Sequence, residues 1–434
     1  MADLKNKSES RIFLFLFIQL LSLVGSNISH VAIGFWIYNK THSVTDFSLV
    51  LFFSFLPNIL SSFLSGPIVD RFHFNKTFGI GDIISAAIML LTTAVVMINA
   101  QTFLYLYATI FAVSAVSALQ WVSLNAYLPE VLKDESLARA TGWLSTATSM
   151  AGLLAAALAS LLISTIGLKY IFIFDAATFL ISAYVVFYLL PKDKKETATF
   201  GEGATFISDF KAGFNYLKSK KDVFTLVMMF IVFNFFAGIN TNLMTPMFLE
   251  RYSVKYAGYL LGFLGFGSII AGLAQTGITR LAKLRHYIPL LMLFIFIENI
   301  LIGYFPAPFL TALFMFTLGA NITLVGTSTT LVLQENVKSE YRGRVFATAR
   351  GLCWIAIPLA QIICGIVTDN IFKRFFTELS KNAYLGNTFL IVNYASTLLF
   401  LGYLFREKIG NLKTHVLLTT TAPLLPIKNK PGDT

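Results

Sequence analysis

Residues 11–38 read RIFLFLFIQLLSLVGSNISHVAIGFWIY, and no Asp, Glu, Lys or Arg follows Arg11 until Lys40. A helix of about 20 apolar residues crosses the hydrocarbon core of a bilayer, so this one stretch is long enough to span a membrane. The basic start, Lys5, Lys7 and Arg11, resembles a secretory leader. The apolar run continues through Trp36 without a small-residue cleavage site, so it reads as an uncleaved first span. Working outward, the pattern recurs near 46–69, 77–98, 102–124, 141–165 and 168–190, the last closing at Pro191. After a polar stretch at 191–222 it returns near 223–249, 256–280, 286–305, 309–333, 344–370 and 385–405. A transmembrane β-strand needs only about 10 residues of alternating polarity, and these runs are longer and do not alternate. The fold class expected is therefore all-α integral membrane, with twelve transmembrane helices in two groups of six.

Composition agrees. Of 434 residues, 56% are hydrophobic and 13% charged, with a mean hydropathy of +0.72. A soluble domain carries about 45–50% apolar and about 25% charged residues, so here the solvent is lipid. The net charge of +11 would suggest nucleic acid if the basic residues formed a soluble patch; they sit in the gaps between spans instead, and no nucleic-acid partner is expected. With the N-terminus inside, 26 of the 33 Lys and Arg residues fall on the cytoplasmic side. That bias predicts a multi-pass protein of the inner (plasma) membrane with both termini cytoplasmic. Cys353 and Cys364 lie eleven positions apart in one predicted span, about 16 Å along a helix axis, too far to pair within the chain.

The two halves carry a trace of duplication. At an offset of 205 residues Glu130 pairs with Glu335, Lys133 with Lys338, Glu135 with Glu340 and Arg139 with Arg344. Parallel repeats of this kind pack about an axis along the membrane normal and enclose a site near the midplane. The expected organisation is an N-terminal bundle at 1–190, a cytoplasmic linker at 191–222, a C-terminal bundle at 223–405 and a cytoplasmic tail at 406–434. Within the linker, Phe206, Ile207, Phe210, Phe214 and Leu217 recur at helical spacing beside Lys211, Lys218, Lys220 and Lys221. This predicts an amphipathic helix on the anionic inner leaflet, serving as an interdomain tether.

The loop after the second span reads Gly66-Pro67-Ile68-Val69-Asp70-Arg71-Phe72-His73-Phe74-Asn75-Lys76. It resembles the Gly-x-x-x-Asp-Arg signature of the major facilitator superfamily, although Phe74 and Asn75 stand where that pattern is usually basic. Further segments resemble its drug-exporter (macrolide-type) and siderophore-exporter branch: Leu128-Pro129-Glu130, Phe174-Asp175-Ala176, Gln334-Glu335 and Arg342-Gly343-Arg344-Val345-Phe346. The physics of the loop stands beside the resemblance. Gly66 permits close helix approach, and Asp70 facing the N-terminus of span 11 would gain about 0.3–1 kcal/mol from the helix dipole. Arg71 can pair with Glu130 and, by pseudosymmetry, Arg280 with Glu335. These residues, with Lys76, Arg139, Gly343 and Arg344, form the expected cytoplasmic gate.

Ionisable groups inside spans are costly and therefore functional candidates. Asp82, Asp175 and Glu298 are the acidic ones and the candidates for proton coupling. The resemblance implies a cavity lined by spans 1, 4, 7 and 10. Their polar and aromatic members are Gln19, Asn27, His30, Tyr107, Gln120, Trp121, Asn234, Asn240, Asn321 and Thr323. Neutral polar and aromatic groups suit an amphiphilic solute better than a polyanion; Arg350 is the one deep basic candidate. The five histidines show no metal-site spacing, and no Gly-rich phosphate loop is present, so neither enzyme chemistry nor a cofactor is expected. The reading is a monomeric exporter of an amphiphilic small molecule, exchanging it for protons amid membrane lipid. A siderophore exporter or lysophospholipid transporter of the same fold is the alternative, with a membrane enzyme or assembly factor third.

Overall fold

A computed structural model describes residues 2–71, 73–100, 102–132, 134–190, 206–276, 288–337, 342–377 and 384–410. The first half forms α1 (Ala2–Thr41), α2 (Val44–Arg71), α3 (Phe74–Met97), α4 (Phe103–Val131), α5 (Asp134–Thr165) and α6 (Leu168–Tyr188). A short helix α7 (Phe206–Ser219) precedes α8 (Lys221–Arg251), α9 (Val254–Thr276), α10 (Ile288–Tyr304), α11 (Pro308–Asn336) and α12 (Arg342–Val367). A π-turn (Thr368–Phe372) carries α12 into α13 (Lys373–Thr377), and α14 (Tyr384–Gly410) completes the set. Among the described residues ten helices are long and apolar enough to cross a membrane, and shorter apolar segments at Met150–Thr165 and Ile288–Tyr304 bring the spans to twelve. Helices are the expected solution because hydrocarbon offers the backbone no hydrogen-bond partner.

The packing repeats. In the first bundle α1 lies against α5 and α6, α2 against α4, and α3 against α4 and α6. In the second, α8 lies against α12 and α14, α9 against α11, and α10 against α11 and α14. Each pair in one list is matched in the other, which defines two pseudosymmetric six-helix bundles. They meet through α2 with α12 and α5 with α9, again a matched couple. Small residues set the closest approaches. A Cβ at Gly267 would collide with the Phe316 carbonyl oxygen, and one at Gly319 with that of Leu264, so α9 and α11 touch backbone to backbone. Ser268 adds an interhelical hydrogen bond to the Gly319 carbonyl at 2.9 Å.

Apolar side chains also face outward. Leu104 is 76% and Phe309 80% exposed, values that only an apolar solvent tolerates over so much of a surface. Inside, Phe15, Phe74, Phe78 and Tyr127 form one core of the first bundle, with Phe74 stacked on Tyr127 at 4.0 Å. Part of the amphipathic face of α7 finds protein. Leu217 is fully buried in a cluster with Val223, Val227, Val345 and Ala349, and the Thr348 hydroxyl donates to the Phe210 carbonyl at 3.4 Å. The helix thus docks on α8 and α12, while Lys211 and Lys218 stay exposed.

Candidate functional site

The three carboxyls buried within spans each join two helices of one bundle. Asp82 on α3 accepts from the Gln120 side-chain amide of α4 at 2.7 Å, and the same amide reaches the Phe78 carbonyl at 3.0 Å. Asp175 on α6 accepts from the Ser26 hydroxyl of α1 at 3.1 Å, across the close approach that Gly25 permits. Glu298 on α10 accepts from the Asn321 amide of α11 at 2.9 Å. In each case the second oxygen is buried without a hydrogen-bond partner.

The ten cavity candidates fall into three groups. Four are engaged between helices. Tyr107 donates to the Asp46 carbonyl and carboxylate of α2 at 3.2 and 3.3 Å, Gln120 holds Asp82, Asn234 donates to the Cys353 carbonyl of α12 at 3.2 Å, and Asn321 holds Glu298. Two satisfy their own helix: Asn27 donates to the Leu23 carbonyl at 2.7 Å and Thr323 to that of Gly319 at 3.0 Å. Gln19 and Asn240 retain buried amide oxygens without partners, His30 is half-buried, and Trp121 is 37% exposed. Missed by sequence reasoning was the aromatic partner of Arg350, whose guanidinium lies 3.9 Å over the Trp354 ring. Trp354 in turn contacts Phe55 of α2 at 5.7 Å across the bundle boundary.

Of the expected gate, the side chains of Asp70, Arg71, Arg280, Glu335 and Arg344, and the surroundings of Gly66 and Gly343, lie outside the described residues. Lys76, Glu130 and Arg139 are exposed, and Arg139 sits 5.5 Å over the Phe13 ring within its own bundle.

Polar contacts between the bundles instead gather at the opposite end, where α1 hands over to α2. Tyr38 and His42 both reach the Glu250 carboxylate of α8, at 3.0 and 3.1 Å. Asp369, in the π-turn after α12, accepts from the Ser43 hydroxyl and from the backbone N–H groups of Val44 and Thr45. One turn deeper, the buried Asn242 amide bridges Ser48 of α2 at 2.7 Å and the Gln361 carbonyl of α12 at 3.0 Å. Tyr38, Val44 and Phe47 extend the core of the second bundle across the boundary. Sequence reasoning missed this set, because Glu250 and Asp369 stand at span ends, where charge ordinarily meets water.

Two pseudosymmetric helical bundles, joined through matched helix pairs and clasped by polar contacts at one end, define a membrane transporter rather than an enzyme. The description Major Facilitator Superfamily matches residues 15–361, and the chain belongs to that family. It is similar to macrolide efflux protein A of Streptococcus pyogenes, 25% identical over 367 residues that cover 81% of this chain and 88% of that protein. It is also similar to the multidrug efflux pump Tap of Mycobacterium bovis, 20% identical over 84% of this chain and 89% of the pump. Among solved structures, a bacterial homologue of the human lysosomal transporter Spinster, inward-facing and unoccupied, superposes with a TM-score of 0.68 at 14% identity, covering 92% of this chain and 95% of that one. The nucleoside transporter NupG gives 0.66 at 16% identity, covering 92% and 99%. These structural likenesses carry the fold.

Proposed function

We propose that this protein exports an amphiphilic, macrolide-like small molecule by alternating access, in exchange for protons, across the inner membrane. The observation that carries the reading is the similarity, over four-fifths of the chain, to macrolide and multidrug efflux proteins. Two features support it: the neutral polar and aromatic character of the groups along α1, α4, α8 and α11, and the abundance of buried carboxyls that can hold a proton. The segregation of 26 of 33 basic residues supports cytoplasmic termini, a cytoplasmic linker at 191–222 between bundles at 1–190 and 223–405, and a cytoplasmic tail. On that orientation the clasp at Glu250 and Asp369 closes the extracytoplasmic side. The cytoplasmic side would close through Asp70, Arg71, Glu130, Arg280 and Glu335. A monomer suffices, since both halves of the pathway belong to one chain.

Everted membrane vesicles test the proposal. With an inward-acid proton gradient they are expected to accumulate a macrolide and a lipophilic dye, and to lose both when a protonophore collapses the gradient. Accumulation of a catecholate siderophore or a lysophospholipid in their place would move the substrate class. Accumulation unaffected by the protonophore would overturn proton antiport.

A further inference from the structure

The first turn of α2 is completed by the other bundle. A helix N-terminus leaves its leading N–H groups without intrahelical acceptors, and here each can be accounted for. Asp46 N–H donates to the Ser43 hydroxyl oxygen at 3.0 Å and Phe47 N–H to the Ser43 carbonyl at 3.3 Å, so these two are capped locally. Val44 and Thr45 N–H instead donate to the Asp369 carboxylate at 3.1 and 2.8 Å, and the Ser43 hydroxyl joins them at 2.8 Å. A carboxylate at this position also meets the positive end of the helix dipole. Gly365, one turn before Asp369, lets α12 approach so closely that a Cβ there would press on Ser48 and Thr45. At the matched junction between α5 and α9 the described residues show no carboxylate reaching across to the α9 N-terminus. There the α9 start is capped by its own Ser253, and the α5 residues facing Gly258 and Gly262 are Ala156, Ala157 and Ser160.

We propose that Asp369 is the latch of the extracytoplasmic gate, a positioning residue that holds the transporter closed to the outside by capping α2 from the opposite bundle. This rests on the alternating-access reading above. Opening that side separates α12 from α2 and hands three charge-assisted hydrogen bonds to water, so the latch sets how often the outward-open state forms. Asp369→Asn removes the charge at nearly constant shape.

The test uses the full chain in lipid nanodiscs, with Cys353 and Cys364 replaced by Ala. One nitroxide pair at Ala100 and Phe309 spans the extracytoplasmic ends of the two bundles, and a second at Glu135 and Lys218 spans the cytoplasmic ends. By double electron–electron resonance, Asp369→Asn is expected to raise the ratio of long to short outer distances about tenfold, the scale of a lost charge-assisted bond, while the inner distances shorten. If Asp369→Asn cannot be recovered folded, Ser43→Ala, which deletes one of the three donors, is expected to shift both pairs in the same direction. Unchanged distributions overturn the latch, as does broadening of both pairs together, which is the mark of a loosened fold. A latch variant that opens outward while erythromycin fails to shift the unsubstituted chain upholds the latch and counts against the macrolide reading alone.

Discussion

At the scale of single residues, the in-span carboxyls are the part of the site most visible in sequence and least complete there. Asp82, Asp175 and Glu298 stand out because charge is expensive in hydrocarbon, but nothing in the chain order says that their partners are Gln120, Ser26 and Asn321. Those partners change the expectation. Gln120→Leu takes the amide donor away from the buried Asp82 carboxyl, whose other oxygen already has no partner, and should cost about 1–3 kcal/mol, read as a lowered thermal midpoint in detergent. The double variant Gln120→Leu with Asp82→Leu should recover part of that loss, since the carboxyl that lost its donor is then gone. Glu298→Gln makes a sharper distinction. The new amide keeps an oxygen for Asn321 to donate to, so the fold should hold. If Glu298 carries the coupled proton, gradient-driven export should fall to background while binding and downhill exchange persist; export unchanged from acid to alkaline pH would make Glu298 structural.

At the scale of elements, the twelve spans were legible because a bilayer imposes length and hydropathy together, but their ends were not. Apolar scanning finds the part of a helix in lipid, whereas the helix continues into water: α4 runs on to Val131 and α5 starts at Asp134, well outside the expected 102–124 and 141–165. Span 11 continues through a π-turn into α13, and that extension delivers Asp369 to α2. Helix α7 was readable as amphipathic, but its docking on α8 and α12 was not, because an apolar stripe does not say whether lipid or protein will cover it. The α9–α11 contact supplies the prediction at this scale. Gly319→Val places a side chain against the Leu264 carbonyl with no flexible neighbour to yield. Overpacking of this kind costs about 1–3 kcal/mol, so the yield of folded protein and its thermal midpoint should both fall, and Gly326→Val, which meets open space, serves as the control.

At the scale of the whole molecule, the duplication was legible as four matched charges and the charge bias is the argument for orientation, while the surfaces where the bundles meet were invisible. Tyr38 with Glu250, and Ser43 with Asp369, stand more than 200 residues apart, and no periodicity relates them. The orientation is checked by a cysteine at Ser219, exposed at the end of α7, in a background without Cys353 and Cys364. It should resist an impermeant thiol reagent applied outside intact cells, and rapid labelling would reverse the topology. The central claim, that transport requires the two bundles to part where α1 meets α2, is tested most directly by locking them there. A Cβ at Gly365 would lie 3.0 Å from that of Ser48, short of the separation of about 3.5–4.5 Å in a disulfide, so the bond forms once α2 and α12 ease apart by a few tenths of an ångström. Oxidation of the Ser48→Cys, Gly365→Cys double variant should abolish export from reconstituted vesicles, and a reductant should restore it. Full export by the cross-linked protein would contradict the account.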